Sequence, residues 1–213
     1  MAPQALRYLV SSDAMHWQIA WLGFYDNPLS KRIRALAQRG SLRVDVGANI
    51  GYISCLWAAL RPENKVIAVE PAPEVFKLLD GNMRAAGLNS QVHRFQIALI
   101  HRPGIMPFDL GPNEQSGWGG LANTTNAGTV EVETARLDDR IGAGQVIDVL
   151  KIDTEGADAR VLAGATKLLA ARRVRTIFFE QNIIRMQALG IAPEEPFEIL
   201  RRHGYHVAWP PRP

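Results

Sequence analysis

Val44-Asp45-Val46-Gly47-Ala48-Asn49-Ile50-Gly51 is the stretch of sequence that decides the fold class. It continues a short β-rich run, residues 42–46, and leads into a helical stretch, residues 50–60. Glycine at such a junction lets the backbone turn sharply and approach a ligand closely. The exposed N–H groups at the start of the helix suit a carboxylate or a phosphate. The stretch therefore predicts a strand-to-helix turn that binds a ligand, although such turns also occur for packing alone.

Strand and helix patterns alternate on the carboxyl side of this turn. Alternation of this kind predicts an α/β fold with a mostly parallel sheet and right-handed crossovers. Predicted strands lie at residues 42–46, 65–69, 92–100, 146–152, 176–179 and 205–209, and predicted helices at residues 50–60, 73–86, 158–171 and 196–202.

The first forty residues show a different pattern. Two amphipathic helical stretches are separated by Asp26-Asn27-Pro28, and the second ends at Gly40. We interpret residues 1–40 as a helical cap over the main sheet. Residues 41–213 then form the ligand-binding part of what we expect to be one compact domain.

Residues 102–128 interrupt the alternation, because they are rich in glycine and proline. The flanking runs Ile105–Leu110 and Thr129–Ala135 predict a hairpin. The insertion between them could close as a lid over a substrate, with Trp118 stacked on a ring. The alternative is a mobile loop with Trp118 packed on the core.

Composition and charge exclude several classes of protein. The hydrophobic share is 47% and the charged share 21%, as in ordinary globular chains. The net charge of +3 is spread along the sequence, which argues against nucleic-acid binding. A single cysteine, Cys55, allows no internal disulfide. No apolar run reaches the roughly 20 residues of a membrane span, and the amino terminus lacks signal-peptide features. We expect a soluble, cytoplasmic protein, and its oligomeric state stays open.

The spacing of the glycines and an acidic residue after them indicate the type of ligand. No glycine lies between Gly47 and Gly51, so the dinucleotide pattern G-x-G-x-x-G is absent. Glu70 ends the second predicted strand, where a carboxylate can accept hydrogen bonds from both hydroxyls of a ribose. A ribose-binding acid without a pyrophosphate loop suggests S-adenosylmethionine, although a surface acid at a strand end is the plainer interpretation of Glu70.

Several motifs together resemble the FkbM family of methyltransferases. They are residues 44–51, Glu70-Pro71, Thr134-Ala135-Arg136-Leu137-Asp138-Asp139, Leu150-Lys151-Ile152-Asp153-Thr154-Glu155-Gly156, Val161-Leu162-Ala163-Gly164-Ala165 and Phe179-Glu180. The resemblance implies a class I methyltransferase (Rossmann-like) fold, with a mostly parallel seven-stranded sheet and helices on both faces. It also implies S-adenosylmethionine as the donor and an oxygen acceptor on a small molecule.

The resemblance also implies roles for individual residues. The methionine end of the cofactor would be lined by Asp45, Gly47, Ala48, Asn49 and Gly51. Glu70, with Pro71, would hold the ribose, and the end of the third strand, including Ala98, would lie near the adenine. The chain departs from the family pattern at Ala157-Asp158, so no role is assigned to Asp158.

Three carboxylates are the predicted catalytic residues. Asp153 and Glu155 follow the fourth strand of the predicted parallel sheet, and Glu180 follows the fifth, so all three should face the cofactor edge. One could take the acceptor's proton. Two could bind a divalent metal, which we do not favour. Alternatively, Asp153 and Glu155 cap the helix that starts near Asp158.

Two other functions share the predicted fold. An NAD(P)-dependent oxidoreductase also uses a Rossmann sheet and a ribose acid, but the missing glycine counts against it. A non-catalytic methyltransferase-like partner would keep the fold without turnover.

Among the histidines, His101 is best placed to act as a base, because it leads into the insertion.

Overall fold

The computed structural model describes residues 6–112 and 115–208, and it contains two β-sheets. In chain order the elements are α1 (Ala14–Leu22), α2 (Asn27–Ala37), β1 (Leu42–Val46), α3 (Tyr52–Ala58), β2 (Lys65–Val69), α4 (Pro73–Ala85), β3 (Val92–Phe95), β4 (Ala98–Leu99), β5 (Gly104–Asp109), β6 (Gly120–Leu121), β7 (Thr129–Ala135), β8 (Ile147–Ile152), α5 (Asp158–Ala163), α6 (Thr166–Ala170), β9 (Val174–Phe179), α7 (Ile183–Ala188) and α8 (Glu195–Arg202). Single turns of 3-10 helix span Ser116–Trp118 and Leu137–Asp139.

The main sheet is parallel, with strand order β3-β2-β1-β8-β9. Every residue of β1 and β8 is buried, as expected for central strands with helices on both faces. One face packs on a cluster that includes Trp57 of α3 and Ile33 of α2. The other packs on Leu162 of α5 and Leu168 of α6. The predicted α/β class is confirmed, and the carboxyl ends of β1, β2, β8 and β9 meet at one edge.

The strand count differs from the expected seven, because the main sheet has five strands in the described part of the chain. The predicted strand 92–100 divides, since β4 leaves the main sheet and pairs with β7 of the second sheet. Residues 205–208 form no strand, because only the Tyr205 hydroxyl, which donates to the Val174 carbonyl at 2.8 Å, reaches β9 by a hydrogen bond. Trp209, the last residue of that predicted strand, lies outside the described residues.

The second sheet has strand order β4-β7-β5-β6 and contains the predicted hairpin. β5 and β7 pair antiparallel, with Met106 opposite Val132. The hairpin prediction is therefore confirmed. Residues 113–114 of the insertion between these strands are not described.

The helix predicted over residues 158–171 is two helices, α5 and α6. A Cβ atom added at Gly164, between the two helices, would lie 2.1 Å from the Ile100 carbonyl oxygen. The backbone at Gly164 therefore packs directly on the backbone at Ile100. Asp138 holds the start of α6, because its carboxylate accepts the N–H groups of Lys167 and Leu168 at 3.0 Å each. This contact gives the Thr134–Asp139 motif a structural role.

The amino-terminal region is helical where it is described, in α1 and α2, whereas residues 1–5 lie outside the description. Ile33 and Ala37 of α2 are fully buried in the same cluster as α3. α2 therefore contributes to the core of the main sheet, and a boundary near residue 40 stays a prediction. None of the described helices combines the length and apolar character needed to cross a bilayer.

Candidate functional site

A cavity of about 1220 Å³ opens at the carboxyl edge of the main sheet. Its walls come from the ends of β1, β2, β8 and β9, from α1 and α2, and from the insertion around Trp118. It contains most of the residues predicted for the site: Gly47, Ala48, Asn49, Glu70, Pro71, Ala98, Asp153, Glu155 and Glu180. Gly51 and Asp45 are not among the residues that line it.

The glycine turn is formed by backbone conformations that favour glycine. Gly47 has φ +71° and Gly51 has φ +85°. A Cβ atom at Gly47 would lie 1.8 Å from the Asp153 carbonyl oxygen, and one at Gly51 would lie 2.6 Å from Leu79 Cδ1 of α4. Gly47 thus lets the turn approach the end of β8, and Gly51 lets α3 pack on α4.

The Glu70 carboxylate lies at the end of β2, where it is only 6% exposed. Its Oε2 atom accepts the Asn49 N–H at 2.9 Å, and its Oε1 atom accepts the Ala72 N–H at 3.0 Å. Each oxygen keeps a second lone pair, which suits the two hydroxyls of a ribose. Burial raises the pKa of Glu70 to about 7, although both N–H groups act in the opposite direction.

Asp45 lies beneath the turn. It is 0% exposed and does not line the cavity, and its predicted contact with the methionine end of a cofactor stays a prediction. Its carboxylate accepts the Ser54 hydroxyl at 2.6 Å and lies 3.4 Å from the Arg43 guanidinium. Burial raises the pKa of Asp45, but the charges of Arg43 and Lys151 outweigh it and hold this pKa below its ordinary value.

Lys151, to which sequence reasoning assigned no role, contacts both the glycine turn and the carboxylate Asp153. Its Nζ atom donates to the Gly47 carbonyl at 2.7 Å and lies 3.1 Å from Asp153 and 3.5 Å from Asp45. Burial lowers the pKa of this ammonium, but the carboxylates of Asp153 and Asp45 outweigh it and the net shift is upward. The available signal was a lysine inside a strongly apolar predicted strand, in which Asp148 is the other charged residue.

The three predicted catalytic carboxylates do lie together. Asp153, Glu155 and Glu180 each offer an oxygen within 4.8 Å of the others, an arrangement that could hold a metal ion. Glu155 has φ +51°, and its Oε2 atom accepts the Asn182 side-chain amide at 2.7 Å. Desolvation and the neighbouring carboxylates of Asp153, Glu155 and Asp158 raise the pKa of Glu180 to about 8. Desolvation also raises the pKa of Glu155.

The capping alternative for these carboxylates is not observed. Among the described hydrogen bonds, Glu155 accepts from Asn182 and Asp153 pairs with Lys151, and neither accepts an N–H group from the start of α5. Asp158 is itself buried, and it accepts the Thr154 hydroxyl at 2.9 Å and the Glu180 N–H at 3.3 Å. It therefore links the Thr154 side chain, between Asp153 and Glu155, to the Glu180 backbone.

The insertion reaches the glycine turn through Ser116. The Ser116 N–H donates to Asp13 Oδ2 at 2.7 Å, and the Ser116 hydroxyl accepts the Asn49 amide at 3.3 Å and lies 3.3 Å from His16 Nε2. Trp118 lines the cavity and is 56% exposed, so it is not packed in the core. His101 is exposed and lies outside the cavity lining, which places it away from the carboxylates.

Three curated proteins resemble the chain. It is 28% identical over 191 residues to "Methyltransferase sdnD" from Sordaria araneosa, covering 74% of each chain. It is 27% identical over 168 residues to "Hexuronic acid methyltransferase AglP" from Haloferax volcanii, covering 78% of this chain and 66% of that protein. It is 28% identical over 162 residues to "2-O-methyltransferase NoeI" from Sinorhizobium fredii, covering 68% of this chain and 65% of that protein. The chain thus spans about two thirds to three quarters of these relatives.

A solved structure supports the fold. A precorrin-6y C5,15-methyltransferase from Geobacter metallireducens superposes with a TM-score of 0.50 at 13% identity, over 86% of this chain and 73% of that one. This likeness shows the class I methyltransferase fold alone. The family model described as the methyltransferase FkbM domain matches residues 45–207, which include the glycine turn, Glu70 and the three carboxylates. The chain therefore belongs to the FkbM family of methyltransferases.

Proposed function

We propose that this protein transfers the methyl group of S-adenosylmethionine to a hydroxyl oxygen of a small molecule or sugar. The observation that carries the proposal is the shared cavity, which is lined by the glycine turn and Glu70 (the donor end) and, directly beside them, by three carboxylates (the acceptor end). The family and the fold imply this methyl donor.

The donor end of the cavity suits an adenosyl group with a short charged tail. Glu70 offers an oxygen lone pair to each ribose hydroxyl. The buried Ile97 and Ala98 offer apolar surface to the adenine. The turn at residues 47–51 has no pyrophosphate-binding glycine pattern, so the methionine end is the part it would face.

The acceptor end supplies groups for the chemical step. S-adenosylmethionine would supply its methyl group to the acceptor oxygen as the carbon–sulfur bond breaks, and the bonding electrons would stay with sulfur in a neutral thioether. The hydroxyl proton must pass to a base. Glu180 suits this role, because its pKa of about 8 makes the ionised carboxylate a stronger proton acceptor, which is formed as the pH rises through that value. Alignment of the two reactants contributes up to roughly 7–11 kcal/mol in ideal cases, and a positioned base typically adds about 10²–10⁴-fold.

Two relatives support an oxygen acceptor. Their names describe a hexuronic acid methyltransferase and a 2-O-methyltransferase. The exposed ring of Trp118 at the cavity mouth offers a flat apolar surface on which a sugar ring could stack.

The proposal is tested with purified protein, methyl-labelled S-adenosylmethionine and a metabolite extract. Label should appear in an extracted small molecule. Asp153→Asn, Glu155→Gln and Glu180→Gln should each be compared with Glu131→Gln, an exposed acid on β7. At least one site variant should lose about a hundredfold in turnover while its affinity for S-adenosylhomocysteine stays near that of the unaltered protein. Absence of labelled product together with absence of cofactor binding would overturn the proposal.

A further inference from the structure

Four charged side chains of alternating sign run under the glycine turn. Arg43 and Asp45 lie two residues apart on one face of β1, and Lys151 and Asp153 are spaced in the same way at the end of β8. The parallel register places Asp45 directly beside Lys151. The series runs from the fully buried Arg43 to Asp153 in the cavity wall.

Lys151 is the member of this series that contacts the turn itself. Its ammonium carries three N–H donors, and three oxygens lie around it, from Gly47, Asp45 and Asp153. The side chain is only 9% exposed. A buried charge is tolerated when it is paired and hydrogen-bonded in this way. The ammonium is therefore committed to these three groups.

The bond to Gly47 fixes the direction of the turn. The Gly47 and Ala48 N–H groups both donate to the Val69 carbonyl at 3.0 Å, on the β2 side. The Gly47 carbonyl points to Lys151, on the β8 side. The first peptide groups of the turn are thus held by β2 on one side and by β8 on the other. These bonds fix the backbone conformation at Gly47, and this conformation sets the direction of the N–H groups of residues 48–51.

We propose that Lys151 is the positioning residue of the cofactor site: its ammonium fixes the Gly47 carbonyl, and Asp45 acts on the cofactor only by holding that ammonium. The proposal rests on the function proposed above, and it names the residue that prepares the donor half of that site. It also gives Asp45 a role that its burial allows.

Lys151→Met tests the proposal, because methionine fills a similar volume without charge or donors. The affinity for S-adenosylhomocysteine, measured by titration calorimetry, should fall by about tenfold to a hundredfold. Hydrogen exchange at the amides of residues 48–51 should accelerate, while exchange in β9 stays unchanged. Lys65→Met is the matched control, since Lys65 also lies on a parallel strand and donates to a backbone carbonyl, that of Ser90, but at the exposed end of β2.

A second variant guards against misfolding. Lys151→Met leaves Asp153 without its cation, so the charge-balanced double variant Lys151→Met/Asp153→Asn is compared with Asp153→Asn alone; both keep the Arg43–Asp45 pair. The double variant should bind at least about tenfold more weakly than Asp153→Asn. If a folded Lys151→Met protein binds within about threefold of the unaltered chain, or the double variant matches Asp153→Asn, the positioning role is wrong. If the unaltered chain itself does not bind, the proposed function has failed instead.

Discussion

At the scale of single residues, Gly47 shows most directly how backbone geometry limits the site. A Cβ atom there would lie 1.8 Å from the Asp153 carbonyl oxygen, and φ is +71°. We expect Gly47→Ala to lower the free energy of unfolding by about 2–5 kcal/mol, from left-handed strain plus overpacking. Gly144→Ala is the control, because Gly144 has φ +76° with nothing within 4 Å of its added Cβ. Chemical denaturation measures both, and equal losses would show that strain alone accounts for the effect.

Also at the scale of single residues, Glu70 should make the affinity for the cofactor depend on pH. Its pKa of about 7 means that the carboxylate is largely protonated below neutral pH. Ribose hydroxyls donate to the ionised form, so binding favours loss of that proton. Affinity for S-adenosylhomocysteine should therefore fall by up to about tenfold per pH unit below pH 7 and level off above it. Calorimetry from pH 5.5 to 8.5 checks this, and a Glu70→Gln protein that keeps the same slope would assign the titration to another group.

At the scale of elements, the amino terminus of α1 is tied to the insertion. Asp13 caps α1 by accepting the N–H groups of Met15 and His16, and its other oxygen accepts the Ser116 N–H. Asp26 caps α2 through Leu29 and has no such third contact among the described hydrogen bonds. Each cap is worth about 1 kcal/mol. Asp13→Ala should cost more than Asp26→Ala by about 1 kcal/mol or more, because Ser116 loses its acceptor.

Hydrogen exchange distinguishes these two variants. Asp13→Ala should accelerate exchange at the amides of residues 115–121, whereas Asp26→Ala should affect only the start of α2. Equal protection of residues 115–121 in both proteins would mean that the insertion is held without Asp13.

At the scale of the whole molecule, ligand binding should appear as added stability. At a concentration of S-adenosylhomocysteine one hundred times its dissociation constant, the gain is about 2.7 kcal/mol. For a chain of this length that corresponds to a rise of about 5–11 °C in the melting temperature. NAD at the same concentration should give no rise, because the turn lacks the dinucleotide glycine pattern. A shift with NAD alone would favour the oxidoreductase.

The order of elements was readable from the sequence because it depends on local periodicity. The apolar run at Lys65–Val69, the helix at residues 73–86 and the hairpin around the insertion all appear close to their predicted bounds. The strand-to-helix turn and the cluster of Asp153, Glu155 and Glu180 followed as well, since carboxyl ends of parallel strands meet at one edge.

The tertiary structure alone decided how deeply each side chain is buried and which strands and side chains pair. Asp45 and Glu70 are both acids at strand ends in the sequence, yet one lies beneath the turn and the other lines the cavity. Lys151 can contact Asp45 because the strand register places the two residues side by side. Residues 98–99 pair with β7 and not with the main sheet. The amino-acid sequence by itself determined most of the main-sheet strands and the glycine turn after β1, because period and glycine content are local properties. Which side chains meet, and how deeply, depended on contacts between residues distant in the chain.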